Sequence, residues 1–333
     1  MNIGVIGAGS WGTTLADLLA KNGHAVTLWA YEHDLVERMR KNRKNDLYLP
    51  DFTLDDNLDF TSELREAAAD KEIVVLVAPS QVLRAVVRQA AAYFTDDTVL
   101  VSAAKGIEND TLMPMSEVLK EVLPEKRYRR SAYISGPTFA REVAAEVPTA
   151  LTVASDDEEI ARLVQKTFSC FYFRIYRSSD VVGVELGGAL KNVIALAAGV
   201  SDGLGYGYNA RAALITRGLV EMTRIGVAMG ADERTFMGLS GMGDLVLTCT
   251  GDLSRNRSVG LELGRGRKLQ DILSGMKMVA EGVKTTLSAY QLAKRLKVET
   301  PIIEQMYQIL FENKEPRQAV TDLMQRSLKA EMD

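Results

Sequence analysis

"GVIGAGSWGTTLADLLAKNG", residues 4–23, decides the fold. An apolar, β-branched run ends at Gly7, and Gly7, Gly9 and Gly12 then stand in a G-x-G-x-x-G pattern that opens a helix-forming segment. In a strand–turn–helix of this kind the first glycine permits the tight turn and the second lets backbone approach a pyrophosphate. The third allows the helix to lie close to the strand. The free N–H groups and partial positive charge at the helix start then face the phosphates. The next apolar run, "AVTLWA" (25–30), begins about where a βαβ unit requires a second strand. The pattern therefore predicts a dinucleotide site at the N-terminus of the chain.

Further apolar runs rich in β-branched residues follow at "EIVVLVA" (72–78), "TVLVSAA" (98–104), "TALTVAS" (149–155) and "FYFRIY" (171–176). Helical patterns such as "SQVLRAVVRQAAAYF" (80–94) separate them. Short apolar strands alternating with helices indicate a parallel sheet covered on both faces. After "RSSD" (177–180) strand signals vanish, and helices are expected over 180–200, 209–229, 232–238, 256–264, 267–273, 281–296, 301–312 and 315–329. Ser179 or Asp180 suits the N-cap of the first, and Thr300-Pro301 the start of another. The fold expected is thus α/β: a Rossmann-type doubly wound sheet over 1–178, followed by an all-α domain over 179–333.

Composition narrows the chemistry. A 333-residue chain with 47% hydrophobic and 25% charged residues can bury two cores. Its formal net charge of −4 argues against a nucleic-acid surface, though not against a local basic pocket for a phosphorylated ligand. Cys170 and Cys249, the two cysteines, cannot build a disulfide framework and suit a reducing compartment. The N-terminal apolar run lacks a basic lead-in and is short for a signal peptide, so a cytoplasmic protein without a membrane span is expected. The two histidines, His24 and His33, adjoin no cluster with metal-ligand spacing, so no metal is expected. A proton-transfer role then falls to another residue type.

"LGGALKNVIALAAGVSDG" (186–203) supplies a candidate. An ammonium inside so apolar a helix is costly unless paired or neutralised. Lys191 shares a stripe with Val184, Gly187, Gly188, Ala195 and Ala198, at roughly 3.6 residues per turn. Each glycine there costs about 1 kcal/mol relative to alanine, so close packing or function has to offset it. Lys191 could also be a lysine snorkelling out of a close helix contact. Other polar residues stand in similar settings. Lys105, in "SAAKGIE", follows a sheet strand, and open α/β folds bind ligands at the carboxyl ends of strands. Gly136 and Thr138 lie in "ISGPTFARE", and Asp244 in "SGMGDLVLTCTGDLSRNRS". Ser254, Arg255 and Asn256 sit where a helix begins, a good phosphate site. Together they supply a nucleotide site, an amine base, a carboxylate and an anion clamp. At the end of the second strand stand Tyr31, Glu32 and Asp34. Neither a clean 2′-hydroxyl acid nor an arginine for a 2′-phosphate is there, so the residues read as NAD(P).

Several stretches, in order along nearly the whole chain, resemble the bacterial NAD(P)-dependent glycerol-3-phosphate dehydrogenase family. They include "GAGSWGT" (7–13), "YLPDF" (48–52), "AAKGIE" (103–108), "SGPTFARE" (135–142), "ELGGALKNVIALAAGVSDGLGYGYNARAALITRG" (185–218), "GMGDLVLTCTGDLSRNR" (241–257), "VAEGVKT" (279–285) and "TPIIEQMYQIL" (300–310). The 185–218 and 241–257 stretches are the most specific. The resemblance implies reversible, NAD(P)H-dependent reduction of dihydroxyacetone phosphate to sn-glycerol 3-phosphate, with Lys191 as general acid/base. It implies substrate contacts from Lys105, Gly136, Thr138, Lys191, Asp244, Ser254, Arg255 and Asn256. It implies cofactor contacts from Gly7, Gly9, Ser10, Trp11, Gly12, Tyr31, Lys105, Ala140, Arg255, Val279 and Glu281, with NADPH slightly favoured over NADH. A homodimer that feeds phospholipid synthesis is likewise implied. Hydroxyacid and 6-phosphogluconate dehydrogenases also carry a lysine on a helix, but their asparagine follows after a gap, whereas Lys191-Asn192 is adjacent here.

Overall fold

The computed structural model describes residues 1–276 and 280–331. Eight strands form one sheet: β1 (Asn2–Ile6), β2 (Ala25–Trp29), β3 (Leu58–Thr61), β4 (Ile73–Leu76), β5 (Val99–Ser102), β6 (Ser131–Ser135), β7 (Thr149–Ala154) and β8 (Phe173–Ser178). Their order is β3-β2-β1-β4-β5-β6-β7-β8. The order reverses between β1 and β4, the switch point at which doubly wound folds bind ligands. All described pairs are parallel except β6–β7, which is antiparallel. That corrects the wholly parallel sheet expected from the sequence. Between β6 and β7 the chain forms only the five-residue helix Ala140–Ala144. Such a helix rises roughly 7.5 Å, less than half a strand's length, and cannot carry the chain back for a parallel return.

β3 and β6 are also additions. β3 reads "LDFT", four residues interrupted by an aspartate, and β6 reads "SAYIS", with serine at both ends. Neither is a continuous apolar run. Pairing with β2 and β5 fixes them as strands. Apolar side chains fill both faces of the sheet: Leu15, Leu18 and Leu28 belong to one layer, and Leu83, Val87 and Val118 to the other.

Beyond β8 every described element is helical. The 23-residue lysine helix, Val181–Gly203, is buried along most of its length. It is long and apolar enough to cross a membrane, but 89% of its apolar window lies inside the protein, as in a core helix. Asp180 caps it, Oδ1 accepting the Gly183 N–H at 2.8 Å, as one of the two expected residues. The helix Gly207–Ala228 begins two residues earlier than expected, and Pro316–Met324 ends five residues short of 329. Residues 233–237 form a 3₁₀ turn. A π-helical turn, Leu239–Gly243, runs into a helix, Asp244–Thr250, that the glycine-rich "SGMG" disguised as a loop. At Thr300 the capping side chain comes from elsewhere: buried Glu221 accepts the N–H groups of Ile302 at 2.7 Å and Ile303 at 3.0 Å.

The helix Arg255–Gly264 lies against the lysine helix at backbone distance. A Cβ on Gly199 would meet Arg257 O at 2.1 Å, and one on Gly260 would meet Leu196 O at 2.1 Å. Gly203 and Gly264 are as tightly placed. Paired small-x-x-x-small faces let two backbones touch where larger side chains would hold them apart. The start of the 255–264 helix is thereby held beside Lys191's helix.

Candidate active site

The site gathers at the carboxyl ends of β5 and β6, where the lysine helix crosses. Lys191 is 6% exposed and Asp244 fully buried. The Lys191 ammonium donates to Asp244 Oδ1, and the other carboxylate oxygen accepts from Lys105 Nζ at 2.9 Å. Asp244 thus divides its two oxygens between two lysines. Thr248, one helical turn on, donates to the Asp244 carbonyl at 2.6 Å. Lys105 also donates to Gly136 O at 3.1 Å and reaches Thr138 Oγ1 at 3.5 Å. Gly136 has φ +155, and a Cβ there would meet Leu151 Cβ at 2.7 Å, so this carbonyl is presented by a turn that needs glycine.

The sequence left open which way these neighbours move Lys191. Burial is the largest effect and lowers its pKa; Asp244 raises it, and the ammonium of Lys105 lowers it again. The balance is downward, from 10.5 to about 7. An amine so placed can carry or accept a proton near neutral pH.

The 255–264 helix brings the remaining polar residues. Ser254 Oγ accepts the Arg257 N–H at 3.2 Å as N-cap. Buried Asn256 donates to Asn192 Oδ1 at 2.9 Å and accepts the Gly282 N–H at 3.0 Å, so it ties this helix to the lysine helix and to Glu281–Leu296. Arg255 is exposed, feels the Glu281 carboxylate, and makes no hydrogen bond to a described side chain. Burial raises the Glu281 pKa, while Ser80 and Arg255 oppose the rise. Ser80 Oγ donates to Glu281 Oε2 at 3.1 Å, linking the helical half to the sheet half.

At the glycine-rich turn, Gly7 has φ +120, and a Cβ on Gly12 would lie 1.8 Å from Gly7 O. A Cβ on Gly9 would meet nothing within 4 Å, so that side of the turn is open. The helix Ser10–Lys21 starts there without a side-chain cap, leaving its first N–H groups facing outward. Trp11 Nε1 is buried without a partner. Ser10 O and Ala140 O both accept from Thr14 Oγ1, at 2.9 and 3.2 Å. Tyr31 is 82% exposed beyond β2, edge-on to Trp29. Glu32 is held by the Tyr48 hydroxyl at 2.7 Å. The open turn and uncapped helix fit a pyrophosphate. Val279 lies outside the described residues.

The sequence reading passed over Thr248, Ser135 and Glu185, and gave Asn192 no role beyond its place beside Lys191. Only Glu185 carried a signal of the kind that exposed Lys191, a charge in an apolar helix, and it stands two turns earlier.

Comparison with known proteins agrees with this architecture. Residues 2–161 match the family model described as the N-terminus of NAD-dependent glycerol-3-phosphate dehydrogenase, and residues 180–321 match the model for its C-terminus. The chain is 86% identical to glycerol-3-phosphate dehydrogenase [NAD(P)+] of Syntrophotalea carbinolica over the full length of both. It is 62% identical to that of Geobacter sulfurreducens, over 99% of this chain and 98% of the other. The crystal structure of glycerol-3-phosphate dehydrogenase from Coxiella burnetii superposes with a TM-score of 0.93 at 38% identity, covering 98% and 99% of the two chains. The chain belongs to the NAD-dependent glycerol-3-phosphate dehydrogenase family.

Proposed function

We infer that this protein catalyses the reversible, NAD(P)H-dependent reduction of dihydroxyacetone phosphate to sn-glycerol 3-phosphate. The observation that carries the reading is the buried Lys191–Asp244–Lys105 array at the seam between sheet and helices, in a chain of this family. When bound, the nicotinamide supplies or accepts the hydride at C2 of the substrate. Gly7, Gly9, Ser10, Trp11 and Gly12 would hold it, with Tyr31, Lys105, Ala140, Arg255, Val279 and Glu281.

Lys191, as an ammonium, hydrogen-bonds the C2 carbonyl, stabilises negative charge as it develops on oxygen, and gives up a proton to it. In the oxidative direction the neutral amine takes that proton. Asp244 orients Lys191 and keeps the second ammonium, Lys105, at hand for the substrate. Gly136 and Thr138 hold Lys105. Arg255, beside the helix start capped by Ser254, takes the substrate phosphate through its guanidinium and the free N–H groups, with Asn256 fixing the helix. We place the division between the dinucleotide domain, 1–178, and the helical substrate domain, 179–333, at the end of β8. A homodimer in the cytoplasm that supplies glycerol 3-phosphate for phospholipid synthesis completes the reading, and it rests on the family resemblance.

Purified protein, given dihydroxyacetone phosphate with NADPH or NADH separately, tests the activity. Oxidation of either cofactor with formation of glycerol 3-phosphate supports it. Demonstrable NAD(P)H binding with no oxidation would turn the assignment toward substrates that carry a carboxylate. Light scattering on the same sample tests the dimer.

A further inference from the structure

A small cavity of ≈ 10 Å³ lies beside Lys105. Its walls include Ser102 at the end of β5, Ser135 at the end of β6, Lys105 and Glu185. Three of these carry a buried oxygen without a hydrogen-bond partner: Ser102 Oγ, Ser135 Oγ and Glu185 Oε2. Ser102 is 2% exposed and Ser135 5%. Glu185 is only partly buried as a residue, but its Oε2 is closed off, and its Oε1 accepts the Ser116 N–H at 3.0 Å.

An unsatisfied buried oxygen is costly, and three around one space of this size match the two to four partners that a buried water takes. Gly188 makes the room. A Cβ on it would meet Ser135 Oγ at 2.3 Å and lie 3.7 Å from Lys105 Cγ. Glu185, Gly188 and Lys191 follow one another at three-residue steps along the lysine helix.

We propose that Ser102, Ser135 and Glu185 bind an ordered water in this cavity, and that Glu185, lining it together with Lys105, provides counter-charge beside that lysine and so acts as a positioning residue for it. The proposal rests on the roles inferred above for Lys105 and Lys191. Around Glu185 the charged and titratable groups are Lys105 after β5, Tyr133 of β6 and Glu117 of the helix Met115–Val122. Burial, aided by Glu117, raises the Glu185 pKa to about 7, against the lowering effect of Ser116. Glu185 therefore passes from neutral to charged in the range where Lys191 exchanges its proton.

Glu185→Gln mimics the protonated acid, so its effect should depend on pH. On the acid side of 7, kcat/KM for dihydroxyacetone phosphate reduction should match wild type. On the alkaline side it should fall below wild type by roughly three- to tenfold, the effect expected of one unit charge at a partly buried distance. Infrared spectra of the free protein should show a carboxylic-acid carbonyl band that fades as pH rises through about 7 and is missing in Glu185→Gln. Ser135→Ala, a milder change, should shift that band, and a high-resolution crystal structure should place a water within hydrogen-bond reach of all three oxygens. A pH-independent ratio between variant and wild type, no titrating band, or no water there would each overturn the proposal. Retained turnover in Lys191→Ala would instead sink the catalytic reading, which the infrared and crystallographic results do not touch.

Discussion

Lys191 is governed by three influences that pull in different directions. Burial and Lys105 favour the neutral amine, Asp244 favours the ammonium, and the balance lies near pH 7. Reduction needs the proton on Lys191, so its kcat/KM in the free enzyme should decline as pH rises through about 7, and oxidation should gain over the same range. Asp244→Asn keeps the shape but removes the one influence that raises the Lys191 pKa. The alkaline limb of the reduction profile should then move to lower pH, by about 1–3 units. A limb unmoved in Asp244→Asn would mean that Asp244 does not set this titration. Lys191 and Asp244 were both legible in the sequence, as charges in apolar or glycine-rich surroundings. Their division of labour was not, because nothing in the spacing says that one carboxylate serves Lys191 with one oxygen and Lys105 with the other.

At the level of elements, the crossing of the lysine helix with Arg255–Gly264 matters most. Four glycines, two on each helix, bring the backbones together. Gly260→Ala would put a methyl 2.1 Å from Leu196 O, which no side-chain adjustment relieves. The helices have to separate, at about 1–3 kcal/mol. Because Arg255 and Asn256 ride on that helix, KM for dihydroxyacetone phosphate should rise by roughly tenfold or more, while NAD(P)H affinity falls less, since most residues given to the cofactor lie on other elements. Equal losses in both affinities would indicate general unfolding instead. Helical periodicity exposed most of these elements, but the segment before Asp244 was hidden. "SGMG" has the composition of a loop, and only its packing makes it a π-helical turn that aims Asp244 into the interior. Likewise β6, bounded by serines, becomes a strand through pairing rather than propensity.

Across the whole molecule, the sheet and the helices each bring half of the site. β5 and β6 deliver Lys105, Gly136 and Thr138 at their carboxyl ends, and the helical half delivers Lys191, Asp244 and Arg255. The two-part architecture was readable because strand signals stop after 178. The antiparallel turn at β7 was not, since β7 reads as a continuous apolar run like its parallel neighbours. The glycine-rich turn belongs to this scale, because it sets where the dinucleotide would meet the seam. Gly12→Ala would place a methyl 1.8 Å from Gly7 O and push the first helix off the sheet. NAD(P)H binding by fluorescence should be lost, and retained binding would refute the role given to that turn. The central claim is that the helix from 181 to 203 exists to carry an amine to this seam. Single-turnover reduction of dihydroxyacetone phosphate by Lys191→Ala, with cofactor binding measured on the same sample, tests it most directly. A rate lowered by roughly 10²–10⁴ with NAD(P)H binding intact is the result predicted. Wild-type turnover in that variant would contradict it.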